Sequence, residues 1–307
     1  MRTECCVPRT AYRVLRAACC VSVAVQLAVT PARRLAAQTP LVTTQRTTPL
    51  APDGYIRVYN RSGSIRVTGW ELDSVRWSGH HSARQELFGG GSQRMVKVGV
   101  TGGDEPVRLE VQVPKGAKLV IDAGDASVVV EGVVGPVEIR GGAGAVRVRG
   151  APVRLTIETV DGAVTLIGAP MRSTEVRTAG GMILVTGARE EIVLTSVTGA
   201  ITTEVEGVTR GRIGSVTGVV RFSGGVDPTG TLSVESHGGD VTLALDPHAG
   251  VELVATAFGG TIVNTLTTAV PRPVREGRSQ LLETMVDGGG GTVTVTAFKG
   301  TVHIRTK

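Results

Sequence analysis

The chain has 307 residues, with 33 basic and 27 acidic side chains, 42 glycines and aromatic residues at only 3 %. Six Arg and one Glu fall in the first 37 residues, which leaves 27 basic against 26 acidic groups in the rest. The alkaline pI is therefore no argument for nucleic acid, which calls for a clustered basic surface. Cys5, Cys6, Cys19 and Cys20 are the four cysteines, so no disulfide framework is available after residue 20.

The N-terminus has the pattern of a secretory signal. Arg2, Arg9, Arg13 and Arg16 precede the apolar stretch Ala17 to Val29, and Leu35-Ala36-Ala37 offers a cleavage site before Gln38. Thirteen residues are too short to cross a hydrocarbon core of ~30 Å as a helix. The expectation is a cleaved signal over 1–37, followed by a disordered linker over 38–52. The mature protein is then exported, folds without disulfides and is not an integral membrane protein. Its location is the periplasm, the cell surface or the medium.

From residue 53 onward the sequence is rich in Val, Thr and Gly, which favour strands and tight corners. Gly63 is followed by Ile65 and Val67, with Ile56 and Val58 before it and Val75 and Trp77 after it. Residues 79–118 break step. Met95–Val100 and Val107–Val113 alternate around Thr101–Pro106 and predict a hairpin. His80–Gln93, with Gly89-Gly90-Gly91, predicts a mobile loop.

A repeat then takes over. Ala126, Gly144, Gly162, Gly181, Gly199, Gly218, Gly239 and Gly260 are separated by 18, 18, 19, 18, 19, 21 and 21 residues. Two positions after each stands Val128, Val146, Val164, Ile183, Ile201, Val220, Val241 or Ile262. A second inward position follows at Val130, Val148, Leu166, Val185, Thr203, Phe222, Leu243 and Asn264. Period-2 alternation gives one buried and one wet face. A second strand carries the pairs Val137/Ile139, Leu155/Ile157, Thr174/Val176, Ile192/Leu194, Gly211/Ile213, Leu232/Val234 and Leu253/Ala255. The first member always lies seven residues before the next anchor glycine, so one corner is fixed and length variation falls in the other. Gly300 repeats the pattern with Val302 and Ile304, and Val293 and Val295 precede it. Gly260 to Gly300 is then one coil with a loop excursion over 267–290.

The predicted fold is all-β. It is a parallel β-solenoid (β-helix), right-handed, with two short strands per 18–21-residue coil and an N-terminal hairpin interruption, forming a single domain over 53–307. Roughly ten coils rising ~4.8 Å each give a length of about 50 Å. A β-sandwich would leave the constant interval of seven unexplained.

The chain resembles a bacterial family of exported β-strand-repeat domains of unknown function that carries an adhesin label. The resemblance rests on GSIRVTGW from Gly63 to Trp70 with Asp73-Ser74-Val75, on VQVPKGAKLVI from Val111 to Ile121, and on strands such as GDVTL from Gly239 to Leu243. It covers residues 53–307. It implies an exported, adhesin-like, non-enzymatic binding or scaffold module of the envelope, whose partner is an envelope protein or glycan. It brings no catalytic residues. Ala, Val, Met or Thr often follows the anchor glycine here where the family often has Asp.

No chemistry-bearing cluster emerges from the residues themselves, so no catalytic, cofactor or metal residues and no cofactor are assigned. His80, His81, His237, His248 and His303 are scattered, and a metal needs three or four converging ligands. Asp122, Asp125, Asp161 and Asp240 lie near the fixed corner, and Asp227 and Asp246 precede prolines, all ordinary turn positions. Gly224-Gly225-Val226-Asp227 and Gly238-Gly239-Asp240 fall short of a calcium-binding nonapeptide. Arg140, Glu158 and Arg177 occupy one outward slot in successive coils and predict a charge ladder. No aromatic row appears on the outer face of the first strand. The variable connection, with Pro136, Pro152, Pro170, Pro228 and Pro247, is the best address for binding, because insertions in solenoids collect on one face. A polysaccharide-active enzyme, lyase or hydrolase, is the alternative. It would need acid, base and a charge stabiliser converging on a cleft.

Overall fold

Inward residues of the repeat are apolar at every second position, and the computed structural model packs them between two large sheets. Residues 41–168, 171–187, 190–274 and 278–307 are described, so the segment expected to be a signal lies outside them. The described chain is all-β, with sheets of 13 and 14 strands and no closed barrel. From Lys118–Asp122 to Thr261–Asn264 successive strands alternate between the sheets and pair in parallel, as Val137–Arg140 on Arg154–Thr159 and Val146–Arg149 on Val164–Ile167. Antiparallel pairs occur only near the ends of the sheets.

The inward pattern holds. Val164 sits in register between Val146 and Ile183, and Leu166 between Val148 and Val185, all at most 1 % exposed. Ile139, Leu155, Ile157, Val176, Ile192, Leu194 and Ile213 form the facing ladder and are fully buried. Phe222 fills its level as a fully buried ring. Asn264 is only partly buried, and its side-chain amide donates to the carbonyls of Thr267 and Ala269.

The anchor glycines have a steric cause. A Cβ on Gly144, Gly162, Gly181, Gly199, Gly218 or Gly239 would collide with the carbonyl oxygen of the preceding anchor. Three residues before the anchors runs a buried hydroxyl ladder of Thr159, Thr178, Ser196, Ser215 and Ser236, in register from coil to coil. Ser215 Oγ donates to the Gly218 carbonyl at 2.8 Å and Ser236 Oγ to that of Gly239 at 2.7 Å. These bonds satisfy polar groups at a corner closed to water.

The ends differ from the sequence-based expectation. Leu41–Pro49 is a strand, not part of a disordered linker over 38–52. It pairs antiparallel with Ser74–Ser82, and Leu50 behind it is buried. The expected mobile loop over His80–Gln93 is ordered by Ser74–Ser82 and by the hairpin of Glu86–Ser92 with Met95–Thr101. Gly89 is there for space rather than mobility: a Cβ would strike the indole of buried Trp77. Met95–Thr101 and Val107–Pro114 do not form the expected hairpin with each other. They lie in different sheets, paired in parallel with Tyr55–Tyr59 and Gly63–Trp70. Residues 95–114 thus add another coil level outside 55–70.

At the other end, the final strands Gly291–Ala297 and Thr301–Thr306 do not stack outside Val251–Ala257 and Thr261–Asn264. They insert between those strands and Thr231–Ser236 and Val241–Leu245. Within 267–290, Ser279–Val286 pairs antiparallel with Val251–Ala257 and Arg272–Val274 pairs with it in turn, which caps that end of the 14-stranded sheet. A covered edge has fewer unpaired backbone groups to recruit another chain.

Candidate functional site

In the 14-stranded sheet, the residue just before the first inward position of each strand faces the variable connections. In register these residues are Lys118, Pro136, Arg154, Ser173, Glu191 and Arg210. Six levels at ~4.8 Å span roughly 24 Å. They border an open groove of about 980 Å³, with Glu138 and Thr156 on the sheet face and Val153, Arg172, Glu190 and Thr209 from the connections.

The charges in this groove do not cancel. Arg210 pairs with Glu191 at 3.8 Å, and Glu138 is taken by Arg140 at 2.5 Å. The Lys118 ammonium lies 5.8 Å from the centre of the Tyr55 ring. Arg154 and Arg172 are exposed, one coil apart, and make no ion pair among the described residues. Glu190 is held at φ +64°, a left-handed conformation unusual for a residue with a Cβ, while its carbonyl accepts the Thr209 and Arg210 amides. The groove therefore offers two guanidiniums without ion pairs among the described residues, the Glu190 carboxylate, hydroxyls and an apolar wall at Val153. Guanidiniums bind carboxylate and phosphate through paired N–H donors.

The residues weighed from sequence are dispersed. His80 Nδ1 meets Thr43 Oγ1 at 3.0 Å, and the buried His81 meets Thr44 Oγ1 through Nε2 at 3.2 Å. His248 lies 3.6 Å from Asp287, and His303 borders a shallow surface depression with Arg221 and Arg305. Among the described residues no three His, Cys, Asp or Glu side chains are grouped to hold a metal. Asp122 binds Arg57 at 2.6 Å, and its carboxylate pushes the Arg57 guanidinium above its ordinary pKa. Asp125, Asp240 and Asp246 accept backbone amides of Ala143, Thr301 and His248, and Asp227 accepts the Thr209 hydroxyl. Arg140, Glu158 and Arg177 are in register, but their ion pairs run along the strand, Arg140 to Glu138 and Arg177 to Glu175, each at 2.5 Å. Of the connection prolines, Pro136 borders the groove, Pro152 is buried, and Pro228 and Pro247 are exposed. Pro170 lies outside the described residues.

No family model matches the chain, and no curated protein matches it. Solved structures do. A candidate adhesin from Parabacteroides merdae ATCC 43184 is 10 % identical with a TM-score of 0.42, over 86 % of this chain and 96 % of its own. A candidate adhesin from Bacteroides fragilis NCTC 9343 is 8 % identical with a TM-score of 0.38, over 86 % and 97 %. A candidate lipid-binding protein from Parabacteroides distasonis ATCC 8503 is 10 % identical with a TM-score of 0.38, over 86 % and 97 %. The adhesin name coincides with the resemblance read from the sequence.

Sequence reasoning missed two features. Arg154 and Arg172 sit in outward slots that carry no pattern, so only the fold shows that they share a groove. The second is a stack of rings at the fixed corner. Phe298 lies between His237 and Phe258, with centroid distances of 4.6 and 5.2 Å and planes inclined by 19° to each. The three residues are spread over 61 positions, and the inserted last coil brings them together.

Proposed function

We propose that the chain is an exported, adhesin-like binding module of the bacterial envelope, without enzymatic activity. In this reading it holds an elongated anionic ligand in the groove from Lys118 to Arg210. The observation that carries the reading is the pair Arg154 and Arg172, exposed on the open groove one coil apart and without an ion pair among the described residues. A hydrogen bond to a charged partner contributes about 1.5–3 kcal/mol, so two of them separate an acidic from a neutral ligand clearly. The pattern of Arg2 to Ala37 supports export. The stacked sheets support a rigid rod that presents its ligand site at a fixed distance from either end, and the handedness rule for parallel crossovers makes its coil right-handed.

The test uses an acidic oligosaccharide, an oligogalacturonate, and a neutral one of the same length. The proposal expects binding of the acidic one, weakened steeply by salt, and little binding of the neutral one. Equal binding of the two would refute it. Shortening of the polymer on incubation would identify a polysaccharide-active enzyme instead.

A further inference from the structure

One residue beyond the hydroxyl ladder, at the fixed corner, runs a crest that the groove does not use. In stacking order it consists of Gly142, Val160, Ala179, Val197, Val216, His237, Phe298 and Phe258; from Val160 on each follows a residue paired in register with its neighbours, and Gly142 follows Gly141, whose amide donates to the Glu158 carbonyl. Val160 is 55 % exposed, Val197 45 %, Val216 44 % and Phe258 47 %. Eight levels at ~4.8 Å make a line of roughly 34 Å.

The crest tapers. Gly142 and Ala179 are low, Val160, Val197 and Val216 are intermediate, and the ring stack is tall. A two-fold axis between Val197 and Val216 sets the half of the crest with the smaller side chains against the ring stack. Val197 meets the partner's Val216, Ala179 meets the partner's His237, Val160 meets the partner's Phe298, and Gly142 meets the partner's Phe258. The next row of the corner is Ala143, Asp161, Gly180, Thr198, Thr217, Gly238, Lys299 and Gly259. It contains one acidic and one basic residue. Neither Asp161 nor Lys299 has an ion-pair partner among the described residues, and both are exposed. The same axis places Asp161 opposite the partner's Lys299, twice per pair of chains.

We propose that this crest is the interface of a two-fold homodimer with antiparallel axes. Two-fold contacts are self-complementary, with residue i on j and j on i, as these rows are. A sugar is a poorer occupant, because the rings of His237, Phe298 and Phe258 already cover one another's faces. A lipid surface would call for a fringe of cations, and the row offers only Lys299.

Sedimentation velocity on the purified protein, from low micromolar to the highest soluble concentration, tests this. The wild type is expected to dimerise reversibly. Asp161→Lys and Lys299→Asp are each expected to weaken the dimer about tenfold or more, and the double reversal to restore it. Val197→Glu with Val216→Glu is expected to give a monomer with an unchanged urea midpoint, since both positions are exposed. A wild-type monomer at every concentration, or a double reversal that fails to recover the loss caused by the single changes, would overturn the proposal.

Discussion

The backbone carbonyl of Gly300 fills the space that a side chain on Gly260 would need. These residues are 40 apart in sequence yet occupy adjacent levels, and Gly300 in turn lies against the carbonyl of Gly239. The last coil is therefore built into the column rather than added to its end. The same contact, one carbonyl against one missing side chain, recurs down the fixed corner.

That contact gives a sharp contrast between glycines. Gly199→Ala drives a methyl group into the carbonyl of Gly181 and is expected to cost about 1–3 kcal/mol, the range for overpacking. At Gly214 an added Cβ meets nothing within 4 Å. Gly214→Ala is expected to be neutral or to stabilise by a few tenths of a kcal/mol, because it restricts the unfolded chain. Urea midpoints of the two variants decide it. A similar cost for both would contradict the steric account.

The register is tested by neighbours on opposite faces. Val164→Asp places a carboxylate among Val146, Ile183 and Leu166 and is expected to cost several kcal/mol. Thr165→Asp, one residue on and facing outward, is expected to change stability by less than about 0.5 kcal/mol. Equal effects on chemical unfolding would place the strand the other way round.

Within the hydroxyl ladder, Ser215 and Ser196 are expected to part. Ser215→Ala removes a 2.8 Å bond and leaves the Gly218 carbonyl short of a donor, at a cost of about 1 kcal/mol. The buried Ser196 hydroxyl has no hydrogen-bond partner among the described residues, so Ser196→Ala removes a desolvated polar group and is expected to be neutral or stabilising. Thermal unfolding of both variants checks the order. Destabilisation of Ser196→Ala equal to that of Ser215→Ala would mean that Ser196 is satisfied in solution.

The left-handed backbone of Glu190 at the groove rim predicts a gain. Glu190→Gly relieves a conformation that costs an L-residue roughly 1–2 kcal/mol and is expected to raise the urea midpoint, after the entropy lost to the freer unfolded glycine is subtracted. A clear fall in the midpoint would show that the Glu190 side chain makes stabilising contacts outweighing the strain.

Much of the column was legible because two inward positions per strand and a small anchor residue, glycine at all but Ala126, repeat at a nearly constant interval. The spacing of Gly239, Gly260 and Gly300 shows three similar coils. It does not show their order, because Val241, Ile262 and Val302 present the same pattern to any neighbour. Non-local stacking alone decides that, so the insertion and the His237–Phe298–Phe258 stack stayed hidden. The glycines at 89–91 pointed to mobility, while the packing of Trp77 against Gly89 called for a missing side chain. Arg154 and Arg172 stayed hidden because outward residues obey no periodic constraint.

The groove is the centre of the functional account, and titration calorimetry with oligogalacturonate tests it most directly. The double variant Arg154→Glu with Arg172→Glu keeps the fold, since both side chains are exposed, and its urea midpoint serves as the control. The account predicts that it loses affinity by roughly a hundredfold or more relative to the wild type, the sum expected for two charge-assisted contacts turned repulsive. Wild-type affinity in the double variant would contradict the account.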